Sequence, residues 1–131
     1  MAGPLIYVGT HAIKHGRLED AKTGSRELVE FLEANHERVL HFEIFIDDDT
    51  SEMTVVQVHP DEDSLRDHLR LAGEKIAQAY EFLESTTGID IYGTPSPSLV
   101  DTLTQMGMGM GAPVRFHSAE TGFTRLAPVA V

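Results

Sequence analysis

Two apolar runs, "VLHFEIFI" at 39–46 and "MTVVQVH" at 53–59, are separated only by "DDDTSE". Both runs are short and rich in β-branched and aromatic residues. The polar link has the Asp/Ser/Thr chemistry of a turn, so the pair predicts an antiparallel hairpin. What flanks it is equally regular. Residues 5–13, "LIYVGTHAI", predict a strand, and "IDIYG" at 89–93 predicts another. Between strand and hairpin, residues 17–35 place Leu18, Ala21, Ser25, Leu28 and Leu32 at helical spacing. Gly24 weakens that helix by roughly 1 kcal/mol relative to alanine, so a bend or a close contact is expected there. After the hairpin, residues 64–85 carry Leu65, Leu69, Ala72, Ile76, Ala79, Tyr80 and Leu83 on one stripe, with Gly88 as the stop. Ser64 followed by Asp67 has the capping-box pattern, and Asp61 to Asp63 suit the positive end of that helix.

The order β-α-β-β-α-β predicts an α+β, ferredoxin-like fold: a four-stranded antiparallel sheet with two helices on one face. The run at 39–46 is apolar on both sides, with Leu40, Phe42, Ile44 and Ile46 on one and Val39 and Phe45 on the other. A sheet half exposed to water alternates more cleanly. The second face is therefore expected to pack on another copy across a two-fold axis, as a homodimer. Residues 1–95 form this domain, and 96–131 a C-terminal extension. In the extension "LVDTLTQM" reads as a short helix, "GMGMG" at 107–111 as a flexible joint, and "VRFHSAETGFTRL" as a hairpin turning at Glu120 to Gly122. Its apolar residues Val114, Phe116, Phe123 and Leu126 are expected to pack on the domain or on the partner subunit.

The formal net charge of −11 excludes partners with phosphate backbones or anionic lipid surfaces, so neither nucleic acid nor membrane is expected. The chain has no cysteine, which removes disulfides and thiolate metal sites. The start "MAGPLIYVGT" has neither a basic n-region nor a long apolar run, so a cytoplasmic protein is expected.

Strand parity sorts the polar residues. Ile6 and Val8, the even positions of 40–46, and Thr54, Val56 and Val58 give aliphatic faces. Tyr7, Gly9 and His11, His41 and Glu43, and Gln57 and His59 give mixed ones. Pairing Glu43 with Gln57 and His41 with His59 would gather Tyr7, His11, His41, Glu43, Gln57 and His59 on one face. Such a set could form a small-molecule pocket. His41, Glu43 and His59 could instead supply two imidazoles and a carboxylate to a metal. A hydrogen-bonded network at a dimer interface is the third reading. The acidic turn Asp47 to Asp49 lacks the spacing, glycine and terminal glutamate of a calcium loop, and no phosphate-binding or nucleophile-elbow motif occurs.

A strand running into acidic residues and then "SLRDHL" at 64–69 resembles the antibiotic-biosynthesis-monooxygenase-like group of dimeric α/β barrels. The resemblance covers roughly residues 5–93, and in it His68 matches the group's recurrent histidine. It implies a homodimer with the helices outside, a cavity between sheet and helices, and cofactor-independent oxygenation of quinol-like aromatics. His68 would then act as a base on a small aromatic ligand, with Tyr7, His11, His41, Glu43 and His59 as candidate substrate-binding residues and no cofactor. The chain lacks tryptophan, and the group's frequent second histidine falls on Gly73. The alternative function is a non-catalytic dimeric module that binds a small apolar ligand or a protein partner.

Overall fold

The computed structural model describes residues 3–126. The alternating runs become strands β1 (Leu5–Ile13), β2 (His41–Asp47) and β3 (Glu52–His59). The two amphipathic stretches become helices α1 (Leu18–Asn35) and α2 (Glu62–Ala79). Strand β4 (Leu83–Tyr92), helix α3 (Pro97–Met110) and strand β5 (Val114–His117) follow. Spatial order is β2-β3-β1-β4-β5, and the first four strands pair antiparallel in the ferredoxin-like order. The expected four-stranded antiparallel sheet is corrected to a five-stranded mixed one, because β5 adds parallel to β4, Ile91 opposite Phe116.

Three further expectations change. Helix α2 stops at Ala79, well before Gly88, and β4 begins at Leu83. In that stretch Leu83 and Thr86 point inward, and β1 accommodates it with irregularities after Thr10 and Ala12. The "GMGMG" segment is the last turn of α3 and not a joint, ending at Gly111 with φ of 70°. A Cβ on Gly107 would lie 2.3 Å from Val114 Cγ2, so this glycine lets α3 sit directly on β5. The expected hairpin is reduced to β5, and no strand forms over residues 118–126. Residues 127–131 of the extension lie outside the described residues.

The core lies on one face of the sheet. Leu5, Tyr7, Ile89 and Ile91 pack with Leu65 of α2 and with Leu99 and Leu103 of α3. Ile13, Met53, Val55 and Leu83 pack with Ala21 of α1. The close contact expected at Gly24 is present, since a Cβ there would meet the Phe82 ring at 2.6 Å.

The hairpin register differs from expectation by one residue. Asp47 pairs with Glu52, so His41 lies opposite Val58, Glu43 opposite Val56, and Phe42 opposite Gln57. The turn sets this: Asp47 Oδ1 accepts from the amides of Asp49 and Thr50 at 2.9 and 3.2 Å. A one-residue change sends every side chain to the other face. Tyr7, His11, Gln57 and His59 therefore share the helix-covered face with Phe42, Ile44 and Ile46. His41 and Glu43 sit on the outer face with Ile6, Val8, Val56 and Val58. On β1 and β3 the mixed face is the buried one, whereas on β2 it is the outer one.

Candidate functional site

Three histidines meet where the carboxyl end of α1 approaches the amino end of α2. His36 is the C-cap residue of α1, its amide donating to the Leu32 carbonyl. His59 ends β3, and His68 lies one turn from Leu65 on the buried stripe of α2. Their ring centroids are 5.5 Å apart for His36 and His68, 5.6 Å for His59 and His68, and 5.9 Å for His36 and His59. Phe42 closes the group 5.5 Å from His68. All three imidazoles are at least 95% buried, with 5%, 0% and 2% exposure in sequence order.

The three rings are held differently. His59 is fully engaged, with Nδ1 2.7 Å from Ser64 Oγ and Nε2 2.9 Å from Gln57 Oε1. Gln57 Oε1 accepts from Nε2–H, leaving Nδ1 to accept from the serine hydroxyl. Helix α2 positions that serine: its cap is Asp61, whose Oδ1 accepts from the Ser64 amide at 3.0 Å. The capping role expected of Ser64 and Asp67 belongs instead to Asp61, which frees the Ser64 hydroxyl for His59. His36 Nε2 and His68 Nδ1, by contrast, are buried without a hydrogen-bond partner among the described residues. Buried polar atoms are normally paired, so two adjacent exceptions mark the place as unusual.

Electrostatics keep the cluster neutral at pH 7. Burial, reinforced by His36, pushes His68 down to about 4. Burial, then His68 and His36, pushes His59 down to about 3. His36 is lowered as well, chiefly by burial, while the Ser64 main chain and Asp67 pull the other way.

Beside the triad lies a cavity of about 740 Å³, bounded by the end of α1, the start of β2 and the turn from β3 into α2. Val29, Leu32, Val39, Leu40, Phe42 and Pro60 form its apolar lining, and the largely buried His36 also lines it. Glu33, Glu37, Arg38, His41 and Asp61 stand around it. Its volume suits a small organic ligand. His68 stands directly behind His36 and Phe42.

The expected site residues thus separate into three groups. His59 and His68 come together, joined by His36, which strand parity could not reveal because it belongs to a helix end. Its signal in the sequence is only a histidine after Asn35, where an α-helix gives out. Tyr7 and His11 lie farther along the inner face. His11 Nδ1 is 2.9 Å from Thr86 Oγ1, which also meets the Tyr80 hydroxyl. Burial lowers His11 to about 4 and, with Tyr80 nearby, raises Tyr7 above the ordinary tyrosine value. Gly9 leaves the space between Tyr7 and His11 open: a Cβ there would lie 3.1 Å from Tyr7 Cε1 and 3.4 Å from His11 Nε2. His41 and Glu43 form their own exposed pair at 3.2 Å on the outer face. The metal set of His41, Glu43 and His59 does not assemble, and no group of three ligating side chains among the described residues could hold an ion. No helix among them is long and apolar enough to cross a membrane.

No family model and no curated protein sequence matches the chain. Solved structures do. MupZ from Pseudomonas fluorescens superposes with a TM-score of 0.75 at 18% identity, over 95% of this chain and 91% of that one. A Nitrosomonas europaea protein named as a candidate antibiotic biosynthesis monooxygenase gives 0.61 at 15% identity, over 74% and 95%. One from Caulobacter crescentus, named likewise, gives 0.61 at 13% identity, over 72% and 91%. The chain therefore has the fold of the antibiotic biosynthesis monooxygenase structures. A match over 95% of the chain must also take in most of α3 and β5, so this part of the fold has a counterpart in MupZ.

Proposed function

We propose that this chain is a monooxygenase-like enzyme. It oxygenates a small aromatic or quinol-type compound, without a bound cofactor, in the cavity beside His36 and His68, and it works as a homodimer. The observation that carries this reading is an apolar cavity lined by His36, whose Nε2, like Nδ1 of His68 packed against it, is buried without a partner among the described residues. Oxygenation without metal or flavin needs a substrate anion rich enough in electrons to reduce oxygen itself. The protein's part is to take a proton and exclude water. A neutral imidazole is the form that accepts a proton, and His36 is the histidine of the three that lines the cavity. The His68 matched by family resemblance stands behind it and is the second candidate base.

The low basicity of the buried rings favours a second reading, a binding module with no turnover. Oxygen uptake with a panel of hydroquinones separates the two. The enzyme reading expects consumption above autoxidation that falls at least roughly tenfold in His36→Ala and His68→Ala, the low end for loss of a general base. His15→Ala serves as the control. Equal uptake by wild type and both cavity variants leaves only the binding module.

A further inference from the structure

The fifth strand makes the outer face of the sheet symmetrical about β1, which is now the central strand. Residues in register cross that face in rows. One row runs His41, Val58, Ile6, Tyr92, His117, and the next Glu43, Val56, Val8, Asp90, Arg115. Both rows lie at the end where β1 begins, and beyond them β1 and β3 continue with Thr10, Thr54 and Glu52. A two-fold axis along β1 therefore sets the apolar end of one sheet on the apolar end of another. Ile6 and Val8 then meet their own copies, and Val58 meets the partner's Tyr92. Glu43, on one edge strand, meets the partner's Arg115 on the opposite one, so unlike charges face each other.

The same axis lays β5 of one subunit under β2 of the other. The chain leaves β5 at His117, facing His41 of the second copy, and the cavity opens beside His41 at Val39, Leu40 and Pro60. Sheets packed face to face lie about 10 Å apart. The chain from His117 to Phe123 reaches roughly 20 Å when extended, so it spans that gap. What it delivers is apolar. Phe123 and Leu126 are 81% and 56% exposed in their own subunit. Arg125 lies over the Phe123 ring, 4.6 Å from its centroid, so ring and cation form one unit. The cavity offers the complement, an apolar lining bordered by Glu33 and Glu37, neither of them in an ion pair among the described residues.

From this arrangement we propose that each cavity is completed by the C-terminal segment of the other subunit. The partner's Phe123 packs into the apolar mouth against Val39, Leu40 and Pro60, and the partner's Arg125 faces Glu33 and Glu37. The ligand site is then shared between two chains and closed only in the dimer. This inference rests on the homodimer proposed above, though not on any turnover in the cavity.

The chain has no cysteine, so thiols introduced in pairs report cleanly on what lies together. Val39→Cys/Phe123→Cys is treated with a short bis-maleimide and read on a denaturing gel, with sedimentation of the untreated variant alongside. Glu37→Cys/Arg125→Cys, both at exposed positions, repeats the test without touching the cavity wall. Asp48→Cys/Phe123→Cys, with its first thiol in the hairpin turn at the far end of the sheet, is the control. Both test pairs are expected to give covalent dimer at least roughly tenfold faster than the control, since docking raises the effective concentration of the two thiols. A cross-linked product that runs as a monomer overturns the inference, because the chain's own segment then covers its cavity. A sedimenting dimer that links no faster than the control also overturns it and leaves the homodimer standing. A monomer removes both. Fast covalent dimer without oxygen uptake would remove the oxygenase reading and leave this one intact.

Discussion

His59 shows how a single side chain organises the site without facing the cavity. Its two nitrogens are occupied by Gln57 and Ser64, so its ring is a fixed wall against which His68 packs edge-on. The weak point is the Ser64 hydroxyl. Ser64→Ala leaves a buried imidazole nitrogen without a partner and is expected to cost about 1–3 kcal/mol. Ser98→Ala, which removes an exposed contact to Arg66, should stay within about 0.5 kcal/mol. Urea denaturation of the two variants checks this, and equal midpoints would show that Ser64 does not hold the cluster. At this scale the sequence was only partly legible. His59 and His68 stand out by type and position, but Ser64 has the pattern of a cap. His36 gives no sign of its role, because a histidine at a helix end carries no periodic signal.

At the scale of elements, the order of strands and helices through β4 followed from periodicity, and Leu5–Ile13 agreed to the residue. The faces did not follow. Parity sorts the side chains into two sets but does not say which set the helices cover, because β1 and β3 are apolar on both faces. Gln57 and His59 on β3, and Tyr7 and His11 on β1, are inside, and Ile6, Val8, Val56 and Val58 outside. The turn chemistry of Asp47 then decides the register. The outer face that results is a poor one to leave in water: Ile6, Phe45 and Tyr92 are 36%, 49% and 40% exposed on the same side as Val8, Val56 and Val58. Its far edge is charged, with Asp90 accepting from His117 at 2.8 Å and from Arg115 at 3.0 Å. Those partners, His117 first, hold the Asp90 carboxyl below its usual range. An apolar centre with a polar margin is the anatomy of an interface. The homodimer proposed for this chain uses that face. Sedimentation at micromolar concentration should give a dimer for wild type and a folded monomer for Val56→Lys. A wild-type monomer contradicts the dimer.

For the molecule as a whole, the helix-covered face carries both the core and the unusual polar chemistry. That arrangement fits a scaffold which hosts many activities by changing what lines one cavity. The fold is the part that similarity to solved structures shows. The site rests on two nitrogen atoms. The most direct measurement is therefore a long-range proton–nitrogen NMR spectrum of the imidazole rings, recorded with and without a hydroquinone at neutral pH. Burial holds His59 and His68 at about 3 and 4, so both should appear as neutral rings, His59 in a single tautomer. Adding the ligand should shift the ring nitrogens of His36 and His68 and leave those of His15 and His117 in place. Unmoved His36 and His68 signals under saturating hydroquinone, or shifts confined to His15 and His117, would contradict the account.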